Sequence, residues 1–294
     1  MRRIIGSLVV IAGVAALGIF GSQAFFSDTE TSVDNKFVAG DIDLKIDNTS
    51  YALDFNIPTF EGTPSGALVA NPANTWTATD LVLEKFFDFT DVKPGDYGED
   101  TISVHVGSND AWVCAAAQIT EDSDVTYSEP ELEDDTTQNL VTPADGNGEL
   151  DGQVRFAFWK DDGDNVLEVG ENTFLSGPIS GLNGAGQIAL ADTSVNSVFG
   201  QNIPVPGDTT VYIGKGWCFG TMTPTPLAQD GLGTDGPIGP GRVGTGFTCD
   251  GSLVDNAAQT DSVVGDLQFY AVQARNNGAF TCAQNYTPEW PEEE

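Results

Sequence analysis

Short segments in which apolar and polar residues alternate recur along this chain, and long stretches with an apolar residue every three to four positions are missing. The clearest cases are Ile102, Val104 and Val106, then Val154, Phe156 and Phe158, then Leu267, Phe269 and Ala271. Such alternation buries one face of a β-strand. With 34 glycines and 15 prolines interrupting it, the chain is predicted to be all-β, a two-sheet β-sandwich of jelly-roll type.

Two further stretches extend this pattern, one before the turn Lys93-Pro94-Gly95-Asp96 and one after the turn Gly107-Ser108-Asn109-Asp110. The first contains Phe86, Phe87 and Phe89, and the second is residues 111–119. We expect both to belong to the strand framework.

Two long loop insertions are predicted within a sandwich domain at 37–287. Residues 121–151 carry an acidic cluster and few apolar residues, which indicates a solvated excursion. Residues 224–247 are dense in glycine and proline and cannot form a central strand. The acidic tail 288–294 follows the domain and contains no sorting motif.

The N-terminus has the form of an export signal. Arg2 and Arg3 precede an apolar run from Ile4 to Phe20, and small residues at Ser22 and Ala24 suit a signal peptidase. We predict a signal peptide at 1–24. Because the apolar run approaches the length of a bilayer span, a retained anchor is the alternative.

The formal net charge is −33, from 44 acidic and 11 basic residues. Such a surface repels nucleic acid and anionic lipid, so we predict no nucleic-acid partner and membrane contact only through an uncleaved signal peptide. The excess of acidic residues indicates divalent-cation binding or life in high salt. The alternative is a soluble secreted protein whose molecules are kept apart by charge repulsion.

The four cysteines, in an exported chain, favour disulfides. Three pairings exist. We favour Cys218 with Cys249, which closes the Gly/Pro-rich loop, and Cys114 with Cys282, which joins two segments far apart in sequence.

The best candidate for a binding site follows the predicted strand at Phe158. Five acidic residues and one asparagine fall within 11 positions: Asp161, Asp162, Asp164, Asn165, Glu168 and Glu171. A glycine-bent loop of carboxylates can supply the oxygen ligands that Ca²⁺ requires, although the spacing departs from the EF-hand. The alternative is a solvated Asp-Gly hairpin turn. Calcium is the only cofactor that we predict.

The sequence predicts no enzyme. His105 is the single histidine, so a zinc peptidase site with two histidines is excluded. His105 lies on the strand face opposite Ile102 and Val104 and is expected at the surface. Gly-x-Ser-x-Gly is absent, and the stretch 177–181 reads Gly-Pro-Ile-Ser-Gly.

The segment after the signal resembles a known family. Ala24-Phe25-Phe26-Ser27-Asp28-Thr29-Glu30 and then Phe37-Val38-Ala39-Gly40-Asp41-Ile42 are similar to the secreted TasA and camelysin fibre proteins that a SipW-type signal peptidase processes. The turn at Lys93 to Asp96 and the segment 259–277 are weaker matches. The chain is longer and more divergent than typical members.

This resemblance implies a secreted structural subunit that polymerises head to tail into filaments of a biofilm matrix or cell surface. In that family the cleaved N-terminal segment, here 25–36, completes the sheet of the next subunit as a donor strand. The residues implied are Phe25, Phe26, Ser27, Asp28, Thr29, Glu30 and Phe37. The implied partners are copies of the chain itself, the SipW-type signal peptidase, and other matrix or surface proteins.

Two other functions stay open. One is a monomeric calcium-dependent adhesin or carbohydrate-binding module, with Trp76, Trp217 and Trp290 as exposed aromatics that stack on sugars. The remote one is a metallopeptidase, because camelysin-type proteins carry that label.

Overall fold

A computed structural model describes residues 42–53, 68–125, 128–135, 148–236, 239–240 and 244–290, together with the main chain of 27–32 and 37–38. The predicted signal peptide, Phe25 and Phe26 lie outside the described residues, as do 291–294 of the acidic tail. Parts of both predicted insertions lie outside them too. Among the described residues, the helices are all too short and too polar to cross a bilayer.

The larger sheet has seven strands: β3 (Leu44–Leu53), β4 (Leu68–Ala70), β5 (Trp76–Thr79), β6 (Tyr97–Val106), β8 (Val154–Asp161), β9 (Thr173–Pro178) and β11 (Thr209–Phe219). Their order is β4-β3-β6-β11-β8-β9, and β5 also pairs with β3. All these pairings are antiparallel. The sheet centre is therefore β6 between β3 and β11.

The smaller sheet has five strands: β1 (Ser27–Ser32), β2 (Phe37–Val38), β7 (Ala111–Ser123), β10 (Ile188–Ala191) and β14 (Ser262–Gln273). Their order is β10-β7-β14-β1-β2, again antiparallel throughout. A separate hairpin pairs β12 (Thr221–Pro224) with β13 (Phe247–Asp250).

The helices whose whole extent lies within the described residues are single turns. They are α1 (Glu131–Asp134), α2 (Leu150–Gln153) and α3 (Cys282–Asn285), with 3₁₀ turns at Pro72–Asn74, Ile179–Gly184 and Gly233–Asp235. They serve as connectors at the ends of the strands.

The main core lies between the two sheets. Ile102 and Val104 of β6 are fully buried there and share one hydrophobic cluster with Leu267, Phe269 and Ala271 of β14. These are residues that alternation predicted to face inward. The all-β prediction is confirmed, whereas the jelly-roll pattern of connections stays a prediction.

A second, smaller core covers the outer face of the five-stranded sheet. Trp112, Val272 and Tyr286 are buried there, and the Cys114–Cys282 bridge fastens α3 onto β7. The side chain of Gln268 on β14 donates to the carbonyl of Glu289 at 2.7 Å. The segment after β14 therefore forms a third layer over this sheet.

Two expectations about the framework were wrong. The stretch with Phe86, Phe87 and Phe89 forms no strand, because the loop inserts Phe86 into the core as an anchor and leaves Phe87 partly exposed, at 39%. The insertion at 121–151 is not simply solvated. It begins within β7, and Glu131 of α1 is 1% exposed.

Candidate cation site and N-terminal strand

Seven polar residues meet on the outer face of the seven-stranded sheet, where β8 ends. We call this group the acidic centre: Glu99, Asp161, Asp162, Asp164, Asn165, Glu168 and Glu171. Asp161 is the last residue of β8, and the loop that follows returns the chain to β9. Gly163, Asn165 and Gly170 have positive φ, which bends this loop back over the sheet.

Neighbouring structure covers most of the acidic centre and leaves Asp162 and Glu171 partly exposed. The ring of Trp159 lies directly over Gly214 of β11, and Phe247 of β13 lies over Gly216. Both glycines leave room on the sheet for these rings. The β12–β13 hairpin and the aromatic residues thus form a lid over what is otherwise the outer face of the sheet.

The Gly/Pro-rich loop packs against the acidic loop through main-chain contacts. Gly239 N donates to Asp164 O at 2.9 Å, and Val169 N donates to Leu227 O at 2.8 Å. Gly233 lies so close to the carbonyl of Asp162 that a Cβ there would be 2.6 Å away. The position of each loop therefore depends on the other.

Part of the acidic centre is held by hydrogen bonds. Asp161 Oδ2 accepts from Thr101 Oγ1 at 2.9 Å and from Asn165 N at 3.3 Å. Glu171 accepts from the amides of Asp162 and Glu168 at 3.0 and 2.8 Å, one with each carboxylate oxygen. Glu171 therefore shapes the loop.

Other oxygens of the acidic centre are buried without a hydrogen-bond donor. They are both carboxylate oxygens of Glu99, Oδ1 of Asp161, Oδ1 of Asp162, Oδ1 of Asn165 and Oε2 of Glu168. The carboxylates of Asp161, Asp162 and Asp164 also come within 4.8 Å of one another. The ion pairs among the described residues all lie elsewhere.

Burial perturbs these carboxylates strongly. It raises the pKa of Asp161 to about 6 and, together with the charge of Asp161, raises the pKa of Asp164 to about 7. Burial raises the pKa of Glu171 to about 8 although loop amides oppose the change. The pKa of Glu99 is raised well above its ordinary value, first by burial and then by the charge of Asp161. The acidic centre holds more negative charge than its surroundings can solvate.

All six residues predicted as metal ligands lie in the acidic centre, but the sequence analysis missed Glu99. Glu99 precedes Asp161 by about 60 positions and reaches the group from β6, where Thr101 shares its face. Alternation gave no signal for Glu99, because it places this residue on the same strand face as Thr101 and His105, where polar residues are expected.

A second carboxylate group, Asp124, Glu131 and Asp261, lies near α1. Its oxygens accept from main-chain amides: Glu131 Oε2 from Ser128 at 2.9 Å and Asp261 Oδ2 from Glu149 at 2.6 Å. These bonds cap local turns and occupy one oxygen each of Glu131 and Asp261, while Asp261 Oδ1 is buried without a donor. We assign this group no ligand.

The two disulfides are those favoured from the sequence, Cys114–Cys282 and Cys218–Cys249. The second joins β11 to β13 and so fixes the lid over the acidic centre.

His105 is partly exposed on the outer face of β6, on the side opposite the core as expected. Its Nε2 lies 2.6 Å from Asp47 Oδ2, and its Nδ1 lies 2.9 Å from Thr210 Oγ1. The three residues sit on three adjacent strands, so they form a polar ladder across a flat sheet surface. That the chain is no enzyme stays a prediction.

The N-terminal segment lies at the edge of the five-stranded sheet. β1 pairs with β14 over six residues, from Ser27 opposite Val272 to Ser32 opposite Leu267. β2 then pairs with β1, with Phe37 opposite Glu30. Five predicted polymerisation residues, Ser27, Asp28, Thr29, Glu30 and Phe37, are thus strand residues within this edge.

Comparison of the chain with protein-family models, with curated proteins and with solved structures found no match. The resemblance to the TasA and camelysin proteins therefore rests on the residues quoted above. Function has to be argued from the geometry.

Proposed function

We propose that this protein is a secreted structural subunit that polymerises head to tail into extracellular filaments by exchanging its N-terminal strand. The observation that carries the proposal is the six-residue antiparallel pairing of β1 with β14. β1 is a short polar strand, Ser-Asp-Thr-Glu-Thr-Ser, added at a sheet edge after the predicted cleavage site. An exported chain with two disulfides suits an oxidising, extracellular setting.

The physical reason is the edge that β14 would otherwise expose. Without β1, one side of β14 would present unpaired N–H and C=O groups, which is a template for another strand. Main-chain hydrogen bonds are the same whether the added strand comes from the same subunit or from a neighbour. Exchange of an identical segment therefore costs little, and a head-to-tail exchange that does not close produces a filament.

The register within one chain sets the expected register between subunits. A neighbour's Thr29 would lie opposite Tyr270, as it does within the chain. A signal peptidase of the SipW type would free the segment for exchange. Other matrix or surface proteins could add to the same edge, whereas nucleic acid is excluded by the charge.

The test uses cysteines at the paired positions. Asp28→Cys combined with Ala271→Cys, the adjacent pair in the same register, should give a ladder of covalent multimers on a non-reducing gel, because exchange places the two thiols on different subunits. The two single variants are the controls. A double variant that yields only a covalently closed monomer would overturn the proposal.

Deleting 25–35 from the mature chain provides a second measurement. We expect the truncated protein to sediment as a monomer under conditions in which the intact mature chain forms fibres visible by electron microscopy. Unchanged filaments after the deletion would contradict strand exchange.

One observation favours the alternative, a carbohydrate-binding adhesin. Trp290 lines an open depression of about 400 Å³ together with Gln118, Asn183 and Gln187. The other two predicted stacking residues do not serve, because Trp217 is buried against Phe89 and Trp76 packs on Phe86. Glycan-array binding by a monomer, lost in Trp290→Ala, would support this function over the first.

A further inference from the structure

The acidic centre contains buried charge that the protein itself does not neutralise. Glu99 is fully buried on β6, and neither of its carboxylate oxygens has a hydrogen-bond partner. Asp161 and Glu168 are 5% and 4% exposed, and each has one oxygen without a donor. Buried carboxylates are normally paired, hydrogen-bonded or bound to a metal.

Glu99 is independent evidence, because it does not belong to the acidic loop. It points to the same face of β6 as Thr101, whose hydroxyl binds Asp161 at 2.9 Å. Its direct partners across the sheet are Tyr51 of β3 and Gly216 of β11, and Gly216 contributes no side chain beside Glu99. A central strand and a surface loop thus place carboxylates on the same face of the sheet.

The three aspartates of the loop bring like charges together. One carboxylate oxygen from each of Asp161, Asp162 and Asp164 lies within 4.8 Å of the others, and like charges at that separation repel one another. The nearest buried ammonium, Lys215, is already paired with Asp100 at 2.7 Å on the core face of the same sheet. The unmet requirement is for positive charge.

We propose that the acidic centre is a Ca²⁺ site, with Asp161, Asp162, Asp164 and the side-chain oxygen of Asn165 as ligands from the loop and Glu99 as the ligand from β6. Every donor is an oxygen, which favours Ca²⁺ or Mg²⁺ over Zn²⁺ or copper. The irregular mixture of carboxylate and amide oxygens suits Ca²⁺, which accepts six to eight ligands in flexible geometry. The proposal is independent of strand exchange.

Binding would join three parts of the chain. The acidic loop would be fastened to β6 through Glu99, and the Gly/Pro-rich loop would be held through its main-chain bonds to Asp164 and Val169. Ca²⁺ would therefore protect these loops and the lid from local unfolding.

The experiment measures calcium binding and stability on the mature protein after treatment with chelator. Isothermal titration with CaCl₂ should give one saturable site, and 1 mM CaCl₂ should raise the melting temperature relative to chelator. MgCl₂ at the same concentration should bind less tightly. Absence of heat together with identical melting in both conditions would overturn the proposal, and tighter binding of Mg²⁺ would overturn the choice of Ca²⁺.

Two variants separate a ligand from a merely structural residue. Glu99→Gln should weaken calcium binding by at least about tenfold, a loss that even outer ligands can cause. The same variant should melt higher than the parent in chelator, since it removes an uncompensated buried charge. Asp162→Asn, at a partly exposed position, should fold normally and also weaken binding.

The matched control is Asp261→Asn in the second carboxylate group. It should leave the calcium affinity unchanged. If Asp261→Asn abolishes binding while Glu99→Gln and Asp162→Asn retain it, the cation lies in the other group and the proposal fails.

Discussion

The buried ion pair between Lys215 and Asp100 offers the sharpest test of how this sandwich is stabilised. The two residues are direct partners on β11 and β6, with Nζ 2.7 Å from Oδ2, and their side chains are 3% and 0% exposed. Lys215 Nζ also donates to Phe86 O at 3.1 Å, and Asn48 donates to Asp100 Oδ1 at 3.2 Å. Burial lowers the pKa of Lys215.

Removing one partner of this ion pair leaves an unpaired charge in the core. Because solvent reaches neither side chain, the values measured for buried pairs apply without reduction for screening. We expect Lys215→Met to lower the free energy of unfolding by about 3–5 kcal/mol. In this variant the Asp100 carboxylate keeps only the hydrogen bond from Asn48, and that single bond cannot offset the desolvation of the charge.

Replacing both partners should recover most of that loss. The double variant Lys215→Met with Asp100→Leu should lie within about 2 kcal/mol of the parent, because a well-packed apolar pair is often as stable as a buried ion pair. The assay is urea denaturation at pH 7, with both disulfides intact, on the parent, each single variant and the double variant.

A cost below about 1 kcal/mol for Lys215→Met would refute this reasoning. Additive losses in the double variant would refute it too. Either result would mean that water reaches the pair, or that Lys215 contributes mainly through its contacts with the rings of Phe86 and Phe87.

Three other predictions follow from the structure. Replacing both cysteines of the Cys114–Cys282 bridge by alanine should lower the free energy of unfolding by about 1.5 kcal/mol more than the same change at Cys218–Cys249. The reason is that the two bridges close loops of different length, with sequence separations of 168 and 31 residues. Thermal unfolding of the two double variants compares them. Burial raises the pKa of Asp261 from 3.8 to about 7, so the folded state favours its protonated form. In chelator, the contribution of this group to stability should be fully present below about pH 4 and be lost as pH rises to about 7. Asp261→Asn should therefore reduce the difference between urea titrations at pH 5 and pH 8. Filament assembly should strengthen with NaCl, since salt screens the charge of −33 while strand pairing is short-ranged; sedimentation at 0.05 and 0.5 M NaCl checks this.

The strands could be predicted from sequence because their inner residues obey a period of two. Ile102 and Val104 pointed to the core in advance, as did Phe269. The same rule misread the stretch around Phe86, because clustered aromatics also occur where a loop inserts a single anchor into a core. Alternation shows which residues are apolar, but it does not show whether a strand or a loop contains them.

The acidic centre could be predicted only in part. Its loop ligands are close in sequence and carry the composition of a cation site, so local pattern was sufficient for them. Glu99 and the lid come from distant segments, and they meet the loop only because β11 pairs with both β6 and β8. The pairing of Lys215 with Asp100 was invisible for the same reason, since a charged residue inside a strand does not reveal its partner.

The proposed Ca²⁺ site and the proposed strand-exchange edge lie on different sheets, and this separation gives them different physical roles. The acidic centre belongs to β6 and β8 of the seven-stranded sheet, whereas β1 adds to β14 of the five-stranded sheet. A cation bound at Glu99 would therefore stabilise the subunit without touching the edge at which strands exchange. Chelation should weaken the folded subunit, and only through that weakening should it affect filaments. A calcium effect on assembly that persists in Glu99→Gln would have to arise from surface charge instead, since that variant leaves the pairing of β1 with β14 untouched.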